Sequence, residues 1–189
     1  MELMGKLEEI KTAGHDSKYK ENKIVECAEK ELILDSTYYA PMPIHKTWKN
    51  DRGQEGVRVL AYVVATCHVV GVKEEYRTKD ATEPVKSYRV VYTWSPDGKE
   101  NIEPIYENGK CVNSAPAKDV FTSPKDCQHF VDRQNSKLLR RKTQDLFDDE
   151  KEAVKVVFAK NERKWRSIAY KHLSDKEISQ INADDGNSI

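Results

Sequence analysis

The chain has 189 residues, 38% of them hydrophobic and 34% charged, a share that supplies one modest core and leaves long polar helix faces. Lys plus Arg and Asp plus Glu both number 32, so the net charge of zero excludes generic, whole-surface attraction to nucleic acid or anionic lipid and leaves room only for a local patch. The first residues lack a basic stretch followed by an apolar run and a cleavage site, so no secretory leader is expected and the cytoplasm is the default location.

Four cysteines (Cys27, Cys67, Cys111 and Cys127) lie far apart without a Cys-x-x-Cys, and are read as free thiols. The expected fold is α+β in a single domain: a twisted antiparallel sheet of about four or five strands. Helices at 1–34 and 123–182 pack on a sheet formed by 44–122, and 183–189 is a tail.

In chain order, Leu3, Met4, Leu7 and Ile10 share a helical face over residues 2–13, with Gly14 as a stop. A second helix is expected from Asp16 or Ser17 to Leu34, with Ile24, Val25, Ala28 and Leu32 as its stripe. Residues 35–56 then read mostly as a long loop, because Pro41 and Pro43 break any helix. Ile44 to Trp48 is a possible short strand, and Asn50-Asp51-Arg52-Gly53 a turn. Tyr38, Tyr39 and Trp48 in this loop, beside Lys46, Lys49 and Arg52, form a candidate contact surface or a cover over the sheet.

Val57 to Val72 is the most apolar stretch, with seven valines in sixteen residues and Arg58 its one formal charge. Valine's stiff χ1 favours a strand over a helix. Apolar residues on both faces point to a central strand, and its length predicts a bulge or sharp twist between Ala65 and Gly71. Ser87 to Trp94 alternates Tyr88, Val90, Tyr92 and Trp94 with smaller or polar residues, and is read as its antiparallel partner. Lys73 to Lys86 becomes an exposed hairpin loop. Ser95-Pro96-Asp97-Gly98 is a turn, a strand is expected near Ile102 to Tyr106, and Asn108-Gly109 closes a tight hairpin into Cys111-Val112.

Ser123 caps a helix with Pro124 at its first position and Asp126 three residues on. Its buried face is expected at Cys127, Phe130, Val131, Leu138 and Leu139. A further helix spans about Asp148 to His172, acidic at its start and basic at its end, as the helix dipole prefers. Ala153, Val154, Val157, Phe158, Trp165, Ile168 and Ala169 are its expected inner face. Ser174 with Glu177 opens a last short helix.

No glycine-rich phosphate loop and no Gly-x-Ser-x-Gly elbow occurs. Cys67 and His68 are adjacent on one strand and so face opposite sides. A catalytic Cys67 would need His45, His129 or His172 brought in by the fold. The scattered Cys and His have no metal-ligand spacing, and neither metal nor cofactor is expected.

Basic residues cluster more than a neutral chain requires. Lys137, Arg140, Arg141 and Lys142 lie in one helix, and Arg163, Lys164, Arg166 and Lys171 in the next. Residues 118–177 hold fifteen Lys/Arg against eleven Asp/Glu. Antiparallel packing of the two helices would set the first cluster near the second helix's acidic start and partly neutralise it.

Three functions follow. The first is a non-enzymatic binding or regulatory factor that engages a protein partner through Tyr38, Tyr39, Trp48 and the hairpin at 73–86. The second is a nucleic-acid-binding factor using the eight basic helix residues. The third is a small enzyme with a pocket around Cys67 and histidines.

Overall fold

A computed structural model describes residues 24–27, 30–34, 36–75 and 85–183. The fold is α+β. Strands β3 (Thr37–Lys49), β4 (Glu55–Glu75), β5 (Val85–Tyr92) and β8 (Ala115–Ala117) form a four-stranded sheet in the order β3-β4-β5-β8. Strands β1 (Ile24–Cys27) and β2 (Lys30–Ile33) form one two-stranded sheet, and β6 (Tyr106–Glu107) with β7 (Lys110–Cys111) another. Three helices follow: α1 (Pro124–Thr143), α2 (Asp148–Tyr170) and α3 (Asp175–Asn182). None of them is long and apolar enough to cross a membrane.

The described residues divide into two compact units, one of those up to Ala40 with those in Thr66–Val120, the other of Pro41–Ala65 with those from Phe121 to Ala183. The core of the first unit joins Leu32, Tyr38, Ala40, Cys67, Val69, Tyr88, Val90, Ala117 and Val120, with Val72 and Tyr92 packed against it. Register explains this set. Cys67 pairs with Tyr92 and Val69 with Val90, until the ladder shifts between Val69 and Gly71. Beyond the shift Val72 pairs with Tyr88. The extra residue restores Val72 to the core face despite its even number. Gly71 takes φ 156° there, a value that side-chain-bearing residues rarely adopt. The bulge thus falls inside the window expected for it.

The second unit contains the β3–β4 ribbon up to Ala65 and the three helices. Helix α1 starts as expected: Ser123 is the N-cap, its hydroxyl accepts from the Asp126 N–H at 3.4 Å, and Pro124 opens the first turn. Cys127, Gln128, Val131 and Asn135 are its buried stripe. Helix α3 opens with the Ser174–Glu177 capping box.

Five expectations need correction. The helix expected to reach Leu34 gives way to β1 and β2 over the described part, with Ile24 paired to Ile33 and Cys27 to Lys30. Leu32 is buried while Ile33 is exposed, the period of a strand, and the β-branched Ile24, Val25 and Ile33 favour it. The helix over residues 2–13 and the start of the second lie outside the described residues.

Residues 37–43, expected as loop, join the short strand expected at Ile44 to Trp48 in one 13-residue strand, in which Tyr38, Ala40, Met42 and Ile44 are buried in strict alternation. Pro41 and Pro43 fit because β3 is an edge strand, and residues two apart direct their missing N–H groups to the same side. The segment near Ile102 contributes only Tyr106–Glu107 to a strand. The third partner in the main sheet is instead Ala-Pro-Ala of β8, too short to show alternation. In α2, Val157 and Ala153 turn outward rather than inward. The expected loop at 73–86 is shortened by β4, which runs to Glu75, and by β5, which starts at Val85.

Candidate nucleic-acid interface

The aromatic residues do not form one surface. Tyr38 is buried, and its hydroxyl accepts from the Ile33 N–H at 2.9 Å. Tyr39, its neighbour on the strand, faces the other way. Trp48 lies far along β3, 41% exposed, with its indole over Gly56: a Cβ added to that glycine would fall 2.7 Å from the ring. Trp48 therefore covers the hole left by a glycine in the adjacent strand.

Cys67 is fully buried, and burial pushes its thiol up to about 12. A thiol that stays protonated at neutral pH is a poor nucleophile. His68 stands on the other face of β4, half-buried. Among the described residues no three metal-ligating side chains converge.

The helices of the second unit sort the basic residues by role. Asp132 pairs with Arg166, Asn135 with Glu162, and Lys142 with the Phe158 ring, so α1 and α2 run antiparallel. This register sets Lys137–Lys142 level with the middle of α2, near Val156–Asn161. The acidic first turn of α2 projects past the end of α1. It also spends charge on itself: Lys151 pairs with Asp148 at 3.1 Å, and the Phe147 N–H donates to Glu150 at 3.0 Å. The neutralisation expected from antiparallel packing is therefore smaller than the sequence suggested.

Two of the eight basic residues are structural. Arg166 donates to the Asp132 carboxylate at 2.9 Å, and that carboxylate also accepts from Gln128 at 2.7 Å. Lys142 donates to the Leu60 carbonyl at 3.3 Å and stands over the Phe158 ring at 5.1 Å. Its pKa is lowered by burial first and then by the nearby Arg58 guanidinium.

Beside Lys142, Asn135 closes the open edge of β4: it accepts from the Tyr62 N–H at 2.8 Å and donates to the Tyr62 carbonyl at 3.1 Å. Leu60 and Tyr62 are two apart, so both present backbone groups to the same side, and α1 satisfies that side with an amide and an ammonium. A recess of about 10 Å³ adjoins them, lined by Tyr62, Asn135, Glu162 and Arg166 among others, with room for no more than a water.

The other six basic residues are exposed, and none enters an ion pair among the described residues. Lys137, Arg140 and Arg141 join Arg133, four residues before Lys137, in one stripe on the face of α1 opposite Val131 and Asn135. No Asp or Glu occurs from Arg133 to Gln144. Arg163 and Lys164 lie on the outward face of α2 with Lys160, Lys171 is the exposed C-cap of that helix, and the Lys164 ammonium stands 4.9 Å from the Trp165 ring centroid.

Sequence reasoning missed Arg133, Arg58 and Asn135. A helical wheel drawn back from Lys137 would have found Arg133. A polar Asn between Val131 and Leu138 on an apolar stripe was the available sign of a specific bond. Arg58 joins only through the fold. No protein-family model matches the chain, and no curated protein or solved structure matches it.

Proposed function

We propose that this chain is a non-enzymatic nucleic-acid-binding factor that contacts the phosphate backbone through the α1 stripe of Arg133, Lys137, Arg140 and Arg141. The observation that carries this reading is the uncompensated stripe. Its four cations are exposed, and no acidic residue interrupts that stretch of helix. Arginine and lysine on a rigid helix face bind phosphates by charge, releasing counterions, and need no pocket. The protein-partner reading drew on Tyr38, Tyr39 and Trp48 acting together, and burial of Tyr38 removes that support.

Fluorescence polarisation with labelled single-stranded and duplex oligonucleotides at about 50 mM salt tests the reading. The wild-type chain is expected to bind both. The double variant Arg140→Glu with Arg141→Glu should lose about tenfold or more in affinity, and its log–log salt dependence should become shallower by about 2, or ~0.9 per phosphate contact. No retention of DNA or RNA by the wild-type chain at that salt overturns the proposal.

A further inference from the structure

Helix α2 buries Phe158 and Ala169 on its inner side but carries a second set of hydrophobic residues that stay exposed. Val156 is 68% exposed, Val157 is 59% exposed, Phe147 at the cap is 78% exposed, and Ala153 is exposed as well. Valine is a mediocre helix former, so its presence there has no local reason. Along the same outward face the residues run Asp149, Ala153, Val156, Lys160, at four-three-four spacing, the seam of a paired helix. Val157 and Lys164 flank that seam. The face is therefore acidic at its start, apolar in its middle and basic at its end.

We infer that this face is a self-complementary surface on which α2 of a second copy of the chain docks antiparallel about a two-fold axis between Val156 and Val157. That operation sets Val156 of each copy against Val157 of the other, Ala153 against Lys160, and Asp149 against Lys164. Asp149, Lys160 and Lys164 enter no ion pair within the chain among the described residues, so each is available. A parallel pairing would bring acid to acid and base to base. A two-fold antiparallel pairing needs an apolar middle between ends of opposite charge, the pattern that α2 carries.

The apposed faces, Asp149 to Lys164, extend about 24 Å, since each residue rises ~1.5 Å. Such a strip buries less than the ~800 Å² per partner of a standard interface, so the dimer is weak and forms in about the micromolar range. The α1 stripe takes no part in it, so this inference stands apart from nucleic-acid binding.

Sedimentation velocity of nuclease-treated protein, from about 5 to about 300 μM, tests it. The wild-type chain should move from the 21.8 kDa monomer toward twice that mass. Val156→Glu should stay monomeric with unchanged helical circular dichroism, its site being exposed. Asp149→Lys and Lys164→Asp should each weaken the dimer about tenfold, and the two together in one chain should restore it. A wild-type chain that remains monomeric throughout, a Val156→Glu chain that dimerises like wild type, or a double charge swap that fails to restore association each overturns the inference.

Discussion

Asn135 does for β4 what a neighbouring strand would do. Its side-chain amide gives the backbone of Tyr62, 73 residues earlier, both an acceptor and a donor, and its nitrogen also donates to Glu162. Asn135→Ala leaves that N–H and that carbonyl without partners in a poorly hydrated place, and should cost about 2 kcal/mol by urea unfolding. Asn135→Asp should be worse than alanine near neutral pH, because a carboxylate cannot donate to Tyr62 and would face Glu162. Equal stability of all three chains would show that the amide does not hold helix to strand. Nothing local reveals this role, since an isolated asparagine in a helix reads as a polar interruption. The same limit applied to Arg166 and Lys142. Both were counted with the basic cluster because their partners, Asp132 and the Leu60 carbonyl, are 34 and 82 residues away.

At the scale of elements, legibility followed how much pattern each segment carries. Val57 to Val72 announced a strand and a bulge, because valine and alternation favour one conformation over many residues. Ser123-Pro124 announced a helix, because cap chemistry is local. Strand β3 was harder: its prolines argue against any ladder until its edge position is known, and that depends on strand order. Trp48 shows how such a strand is finished, lying on Gly56 where a side chain is missing. Gly56→Ala should push the indole aside and cost about 1 kcal/mol. In protein labelled with 5-fluorotryptophan, one of three fluorine resonances should shift while the other two stay. Three unmoved resonances would mean that the ring does not rest on the glycine.

For the molecule as a whole, zero net charge conceals a division. Residues 41–65 with 121–183 hold eighteen Lys/Arg and twelve Asp/Glu, and the deficit falls on the remainder. The excess over 118–177 was visible in the sequence; that Arg58 adds to it was not, because a strand and a helix had to meet first. Stability against pH is also a property of the whole chain, and Cys67 sets part of it. Its thiol is raised by burial from an ordinary value of 9.0 to about 12, so above about pH 9 the unfolded chain releases a proton that the folded chain keeps. The stabilisation is intact below pH 9 and is lost as the pH climbs toward 12, by about 1.4 kcal/mol per unit. Urea unfolding at several alkaline pH values should show a shallower decline for Cys67→Ala than for wild type, whatever the offset between them at pH 7. Parallel declines would remove Cys67 from the account.

The bulge between Val69 and Gly71 also governs which changes of length β4 can absorb. Dropping Val70 would leave a regular ladder with Val69 still opposite Val90 and Val72 still opposite Tyr88, so every valine would keep its side. A residue lost a few positions earlier would turn Cys67 or Val69 out of the interior. Twenty-one residues of strand thus contain a built-in slack of one, and it sits where the chain leaves the core for its far hairpin.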